Sequence, residues 1–357
     1  MTAGPARAAP PPSSPASPAA VRPLSLRGRG LSEAGPRVIG PALLLLAAVA
    51  ALPLLPGIRF YYLQVVILVF WFAVLGTSWS IIGGYGGMHS IGHATFVGVG
   101  AYTSTLLYVD FHISPWLGMP AGMALAALVA VVIGYPCFRF GIRGDYFALV
   151  TVALGQVGFE AANGAANITK GAQGVPLPYA GNAPFAFQFA NRSVYFYVVM
   201  ALWLVVVAVA YRVRRSGFGF KLIALRDDEV AAERGGIDVS RHKLLALALS
   251  AAIAAAAGTF YAQFFLFIDP GAVFGLTLSV QIVLMAVLGG MNSYLGATVG
   301  AALLVPLSQW LTTRLSGVPG LDLVIYGAIL VALMLYMPFG ILGLLRRSPH
   351  WRRVIGW

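Results

Sequence analysis

Long apolar runs separated by short polar stretches dominate the chain, with continuous blocks at 38–55, 61–82, 116–135, 195–211 and 244–268. Each is close to the roughly 20 residues a helix needs to cross about 30 Å of hydrocarbon. Backbone groups in lipid must be satisfied within the segment, so these runs should be helices and not open strands. The pattern predicts spans at about 38–56, 61–82, 92–109, 116–135, 146–163, 194–212, 244–267, 276–290, 294–312 and 323–344. The expected fold is an all-α polytopic transmembrane bundle of about 8–10 spans with broken helices.

Two glycine clusters interrupt this pattern. Gly83, Gly84, Gly86 and Gly87 flank Tyr85, and Gly289 and Gly290 precede Met291, Asn292 and Ser293. Single glycines serve close helix packing, but clusters this dense are expected to unwind a helix where backbone lines protein or water. Interrupted segments in both halves of a transporter point to a solute path. A plain re-entrant turn between two short spans fits the same letters.

Residues 1–36 are rich in Pro, Ala, Ser and Arg and short of core-forming residues, so a disordered tail is expected there. It does not read as a cleavable signal, because the apolar run behind it is long enough to stay in the membrane. The tail carries Arg7, Arg22, Arg27, Arg29 and Arg37; the basic C-terminus, 346–357, carries Arg346, Arg347, Arg352 and Arg353. Positive charge favours the cytoplasmic side, which places both ends inside and requires an even number of spans. The core between them, 37–345, is expected to be one membrane domain.

Composition narrows the chemistry. The chain has 357 residues, of which 59% are hydrophobic and 10% charged, and a mean hydropathy of +0.84. Soluble domains carry about 25% charged residues. The formal charge of +12 sits between spans and at the ends, without the aromatic-studded basic face of a nucleic-acid binder. No GxxxxGK[ST] motif occurs, so the chain has no ATP-binding P-loop. His89 and His93, four apart, would share a helical face, but Ser90 stands where a HExxH protease needs its Glu. No third ligand accompanies them, and hydrogen bonding inside the bundle is the expected role. Glu160 is the only carboxylate well inside a predicted span, near its outer end, which speaks against an ion-coupled relay. Cys137, the single cysteine, is expected to be a packing residue.

The longest polar stretch within the membrane domain, 212–243, exceeds a minimal connector. Within it, Asp227, Asp228 and Glu229 suit a helix N-terminus, Gly235 and Gly236 suit its C-cap, and Ser240 is a candidate cap for the next span. A short cytoplasmic helix with a small Ala face suits docking into a partner's groove. A solvated amphipathic loop is the alternative.

The stretch RDDEVAAERGGIDVSRHKLLALALS, 226–250, resembles the coupling-helix region of LivM-like permease subunits of branched-chain amino acid ABC transporters. Further segments are similar to that family in the same order: GYGGMHSIGHATFVGVGAY at 84–102, RGDYFALVTVALGQV at 143–157, TKGAQGVPLP at 169–178, VLGGMNSYLGATVGAAL at 287–303 and YMPFGILGL at 336–344. Met88, Gln156, Asn292 and Ala297 depart from the usual residues. The resemblance implies a non-catalytic permease of the bacterial inner membrane that binds no cofactor or metal itself. It implies a homologous second permease, two cytoplasmic ATPase subunits that use ATP and Mg, and a periplasmic substrate-binding protein. Arg226, Asp228, Glu229, Ala232 and Gly236 would couple to the ATPase. Together with the glycine breaks it nominates Tyr85, Gly87, Ser90, His93, Tyr146, Thr151, Gly289, Gly290 and Asn292 for the solute path. An importer of urea or short-chain amides would share this architecture, and an ion-coupled carrier would dispense with the ATPase.

Overall fold

Unbroken apolar sequence produces helices at almost every predicted position. The computed structural model describes residues 47–54, 60–315, 320–336 and 340–345. The expected tail 1–36, most of the first expected span and the basic 346–357 stretch lie outside them. The principal helices are α1 (Phe60–Ser80), α2 (Ala94–Phe111), α3 (Pro115–Arg139), α4 (Gly144–Gly164), α5 (Ala166–Thr169) and α6 (Arg192–Arg215). They continue as α7 (Gly217–Asp227), α8 (Glu229–Arg234), α9 (Val239–Phe265), α10 (Pro270–Phe274), α11 (Leu276–Gly289), α12 (Gly296–Arg314), α13 (Leu321–Tyr336) and α14 (Gly340–Leu345). Among the described residues, five segments are long and apolar enough to cross a membrane: Phe60–Tyr85, Pro115–Arg139, Arg192–Arg215, Val239–Phe265 and Pro270–Gly289. The helices α2, α4 and α12, of 18, 21 and 19 residues, match further predicted spans in position and length.

The bundle is layered. Helices α1 and α9 are buried along most of their length, and α9 packs chiefly against α3 and α2. The outer helices turn Leu125, Leu128, Val132, Leu149, Val157, Leu204 and Val205 outward. Apolar side chains facing away from the core are what a lipid environment permits, since the tails are as apolar as leucine.

Small residues bring the central backbones together. A Cβ on Gly258 would collide with the Val97 carbonyl, and one on Gly100 with the backbone of Ala255. The close approach is reinforced across helices: Trp71 Nε1 donates to the Ala257 carbonyl at 2.8 Å and Ser250 Oγ to the Ser78 carbonyl at 2.6 Å. At the end away from the polar 212–243 stretch, β1 (Val175–Pro176) pairs antiparallel with β2 (Phe267–Ile268), tying the long loop after α4 to the end of α9.

The polar stretch is largely helical. Arg212–Arg215 complete α6, and α7 and α8 fill most of the rest. Asp228 caps α8 by accepting from Ala231 N at 2.9 Å, so α8 is the short helix expected between the acidic run and the glycine pair, and α7 is an additional helix ahead of it. The expected Ser240 cap is corrected: Asp238 caps α9, accepting from Arg241 N at 2.9 Å. Its φ of −69° and ψ of 103° leave the carboxylate facing the first turn, whereas Ser240 is already helical and contacts the Phe138 carbonyl.

Gly258→Leu should therefore wedge α2 from α9 and destabilise the protein by about 3 kcal/mol, the upper range for overpacking. Thermal denaturation in detergent checks this, and an unchanged melting temperature would contradict the packing described.

Candidate functional site

The two glycine clusters fold as breaks and lie against each other. Helix α1 widens into a π-helical turn at Ile81–Tyr85, and the chain leaves it through Gly86 and Gly87. Gly87 has φ +67°, a conformation that glycine adopts without strain. Helix α11 stops at Gly289, and Gly290 at φ +113° turns the chain toward α12. A Cβ on Gly84 would collide with the Met291 carbonyl, and one on Gly289 with that of Gly296. Each break thus has backbone as its neighbour, as unwound segments in a membrane protein require.

One side chain spans both. Arg226, at the end of α7, donates through one terminal guanidinium nitrogen to the Gly84 carbonyl at 3.0 Å and to Asn292 Oδ1 at 2.7 Å. Its Nε and other terminal nitrogen hold Asp227 Oδ1 at 3.0 and 2.8 Å. The rigid guanidinium fork fixes this geometry in a way a lysine ammonium cannot. A Cβ on Gly87 would stand 2.6 Å from Arg226 Cγ, so glycine is also required for the arginine's passage.

A second polar network anchors α8. Glu229 accepts from Lys243 Nζ at 2.6 Å and pairs with Arg143 Nε at 3.1 Å, joining α8 to α9 and to the turn before α4. The Lys243 side chain is only 6% exposed, so Glu229 neutralises a charge that water barely reaches. Gly235 caps α8 and Gly236 follows at φ +84°. Ala232, expected on the partner-facing side, is instead buried; the outward residues are Val230, Ala231, Glu233 and Arg234.

The remaining predicted path residues divide. His93 is buried, with Nε2 3.1 Å from Ser78 Oγ and 3.5 Å from Ser250 Oγ. The Ser90 carbonyl accepts from Trp79 Nε1 at 2.7 Å, and Thr151 Oγ1 accepts from Ile91 N at 3.0 Å. Ser90 Oγ and His93 Nδ1 are buried with no hydrogen-bond partner among the described residues. Ser250 lies 11 residues into α9, about 16 Å along its axis at 1.5 Å per residue, so this segment re-enters to mid-depth. The expectation that His89 and His93 share a helical face is corrected: the chain between them is not helical, and His89 is exposed. Tyr85 is buried near the first break, with Arg214 5.8 Å from its ring centre. Tyr146 is 75% exposed and joins neither group. Sequence reading missed Lys243, Arg143, Ser78 and Ser250 as partners. For Lys243 the available signal was a lysine at the start of an apolar run, 14 residues beyond Glu229.

These features define an α-helical multi-pass membrane protein whose broken helices are joined to a charged segment at one end. The chain belongs to the family described as branched-chain amino acid transport system / permease component, which matches residues 61–334. It is 30% identical over 298 residues to the high-affinity branched-chain amino acid transport system permease protein LivM of Escherichia coli K12, covering 77% of this chain and 68% of that protein. It is 26% identical over 284 residues to LivH of the same organism, covering 76% of this chain and 91% of the relative. BraD of Pseudomonas aeruginosa is 25% identical over 284 residues, with the same coverage. No solved structure matches.

Glu229→Gln should leave Lys243 as a nearly buried, unpaired charge and cost about 3 kcal/mol. Adding Lys243→Met should recover most of that loss. Denaturation of the single and double variants checks it, and additive losses would contradict the pairing.

Proposed function

We propose that this chain is the permease subunit of an ATP-driven importer of branched-chain amino acids. The observation that carries the reading is Arg226, which links α7, beside the candidate docking helix α8, to both glycine breaks. The names of the relatives support the substrate class. Two sorts of relative, LivM and LivH, support pairing with a second, homologous permease.

The sequence has no P-loop, so the energy comes from two cytoplasmic ATPase subunits that use ATP and Mg. The outward residues Val230, Ala231, Glu233 and Arg234 offer α8 to a groove on an ATPase. Movement of α8 passes through Arg226 to the Gly84 carbonyl and Asn292, and through Glu229 to Lys243 and Arg143. The two breaks then re-pack together between outward and inward openings. The bundle holds two arrangements whose balance the partners shift.

Orientation follows from charge. Arg139, Arg143, Arg212, Arg214, Arg215, Lys221, Arg226, Arg234, Arg241 and Lys243 lie on or beside the α8 end, which faces the cytoplasm of a bacterial inner membrane. Both termini lie on that side. A periplasmic binding protein delivers the amino acid at the opposite end, where the 164–193 loop is held by the short β1–β2 pair.

Gly236→Val tests the reading, because φ +84° strains any β-branched residue there. With strain of roughly 1–3 kcal/mol at the end of α8, leucine uptake by the reconstituted complex should fall about tenfold while ATP hydrolysis continues. Normal uptake by this variant would contradict the coupling role. Urea uptake in place of leucine by the wild-type complex would contradict the substrate assignment.

A further inference from the structure

The re-entrant segment at 86–93 is held by side chains from several helices. Trp79 Nε1 of α1 donates to the Ser90 carbonyl at 2.7 Å, Thr151 Oγ1 of α4 accepts from Ile91 N at 3.0 Å, and Ser279 Oγ of α11 accepts from Ala94 N at 2.9 Å. Each satisfies a backbone group left free before or at the start of α2. His93 works in the opposite direction. It is the segment's own side chain, and it reaches out to α1 and α9.

The protons around its ring can be counted. A serine hydroxyl has one proton to give. Ser78 Oγ donates to the Leu75 carbonyl at 2.7 Å, and Ser250 Oγ donates to the Ser78 carbonyl at 2.6 Å. Both oxygens therefore face His93 Nε2 with lone pairs, at 3.1 and 3.5 Å, and Nε2 supplies the hydrogen. The other ring nitrogen, Nδ1, is buried without a partner among the described residues. An orphaned lone pair there is better tolerated than an orphaned N–H. The groups that meet the ring, Ser78 of α1, Ser250 of α9 and Phe96 of α2, carry no charge. A second proton would thus bury a cation with nothing to pair it. Both considerations select the neutral ring with Nδ1 bare. Phe96 packs at 80° to its plane, 5.6 Å between ring centres, and limits its rotation.

The position of Ser250 gives this bond a consequence. It lies seven residues beyond Lys243 on α9, about 10 Å or two turns, and both are buried on the same face. Lys243 is the residue that Glu229 of α8 holds. A continuous line runs from α8 through Glu229 and Lys243, along one face of α9, and through Ser250 to His93.

We propose that His93 is a positioning residue: a neutral Nε2–H donor that clasps the re-entrant segment to α1 and α9. It gives α8 a second link to the membrane interior, separate from Arg226. The link to α8 rests on the importer reading, whereas the state of the ring does not.

Nitrogen magnetic resonance of the full chain in bilayers, with isotope-labelled histidine rings, reads the clasp directly. His93 is identified by the signals that vanish in His93→Gln, and correlation to the ring carbons tells its two nitrogens apart. It should show a protonated Nε2 and a bare Nδ1, unchanged between about pH 5 and 8, where an exposed histidine titrates. A proton on Nδ1 in place of Nε2, or a second proton gained within that range, would overturn the proposal. The positioning role is read in the reconstituted complex. His93→Leu removes the donor and should lower leucine uptake about tenfold, the equivalent of one hydrogen bond, while ATP hydrolysis continues. His93→Gln, whose amide N–H can stand in the place of Nε2–H, should recover most of that loss. His93→Asn, one methylene shorter, should not. If His93→Leu does not insert, the comparison of His93→Gln with His93→Asn decides the matter. Equal uptake by these two variants would overturn the positioning role. A wild-type complex that imports no leucine overturns the importer reading alone and leaves the ring's state standing.

Discussion

A backbone carbonyl freed inside or beside a membrane must find a donor, because lipid offers none. This constraint governs the arrangement around the glycine breaks. When α1 widens and stops, its last carbonyls lose their helical partners, and the Gly84 carbonyl finds the Arg226 guanidinium instead. The same nitrogen reaches Asn292 in the other break. A single charged side chain therefore satisfies the ends of two unwound segments. It also prevents either from shifting without α7.

Glycine makes the approach possible, and the same feature recurs through the bundle. Gly84 against Met291, Gly87 against Arg226, Gly92 against Thr151, and Gly100 and Gly258 across α2 and α9 leave no space for a Cβ. Small residues bring helices close enough for dispersion and hydrogen bonds to hold them where lipid supplies no hydrophobic drive. The close packing has a polar cost: Ser90, His93, Thr95 and Thr77 keep buried atoms without partners among the described residues. Those near the re-entrant segment mark where the bundle is least self-sufficient.

Much of this was legible in the letters. Apolar run length located α1 to α4, α6, α9 and α11 to α13 because a span's length is dictated by the bilayer. The glycine clusters announced both breaks because no other residue tolerates φ near +67° or +113° so readily. The interior of the site was less legible. Arg226 and Asn292 are 66 residues apart, and nothing in either local pattern names the other. Ala232 read as a docking residue because an alanine face looks alike whether it meets a partner or its own chain. Tyr146 matched a motif yet points outward, since a family pattern carries no facing direction. Ser240 lost the cap to Asp238 by a two-residue shift in where the helix starts, the least determined feature of any helix.

The central claim is that Arg226 and Asn292 act as one unit between the ATPase side and the breaks. A double-mutant cycle with Arg226→Ala and Asn292→Ala, scored as ATP hydrolysed per leucine imported, tests it most directly. If the bond transmits the motion, the double variant should be no worse coupled than the worse single variant. Losses that multiply independently would show that the two residues act separately and would contradict the account.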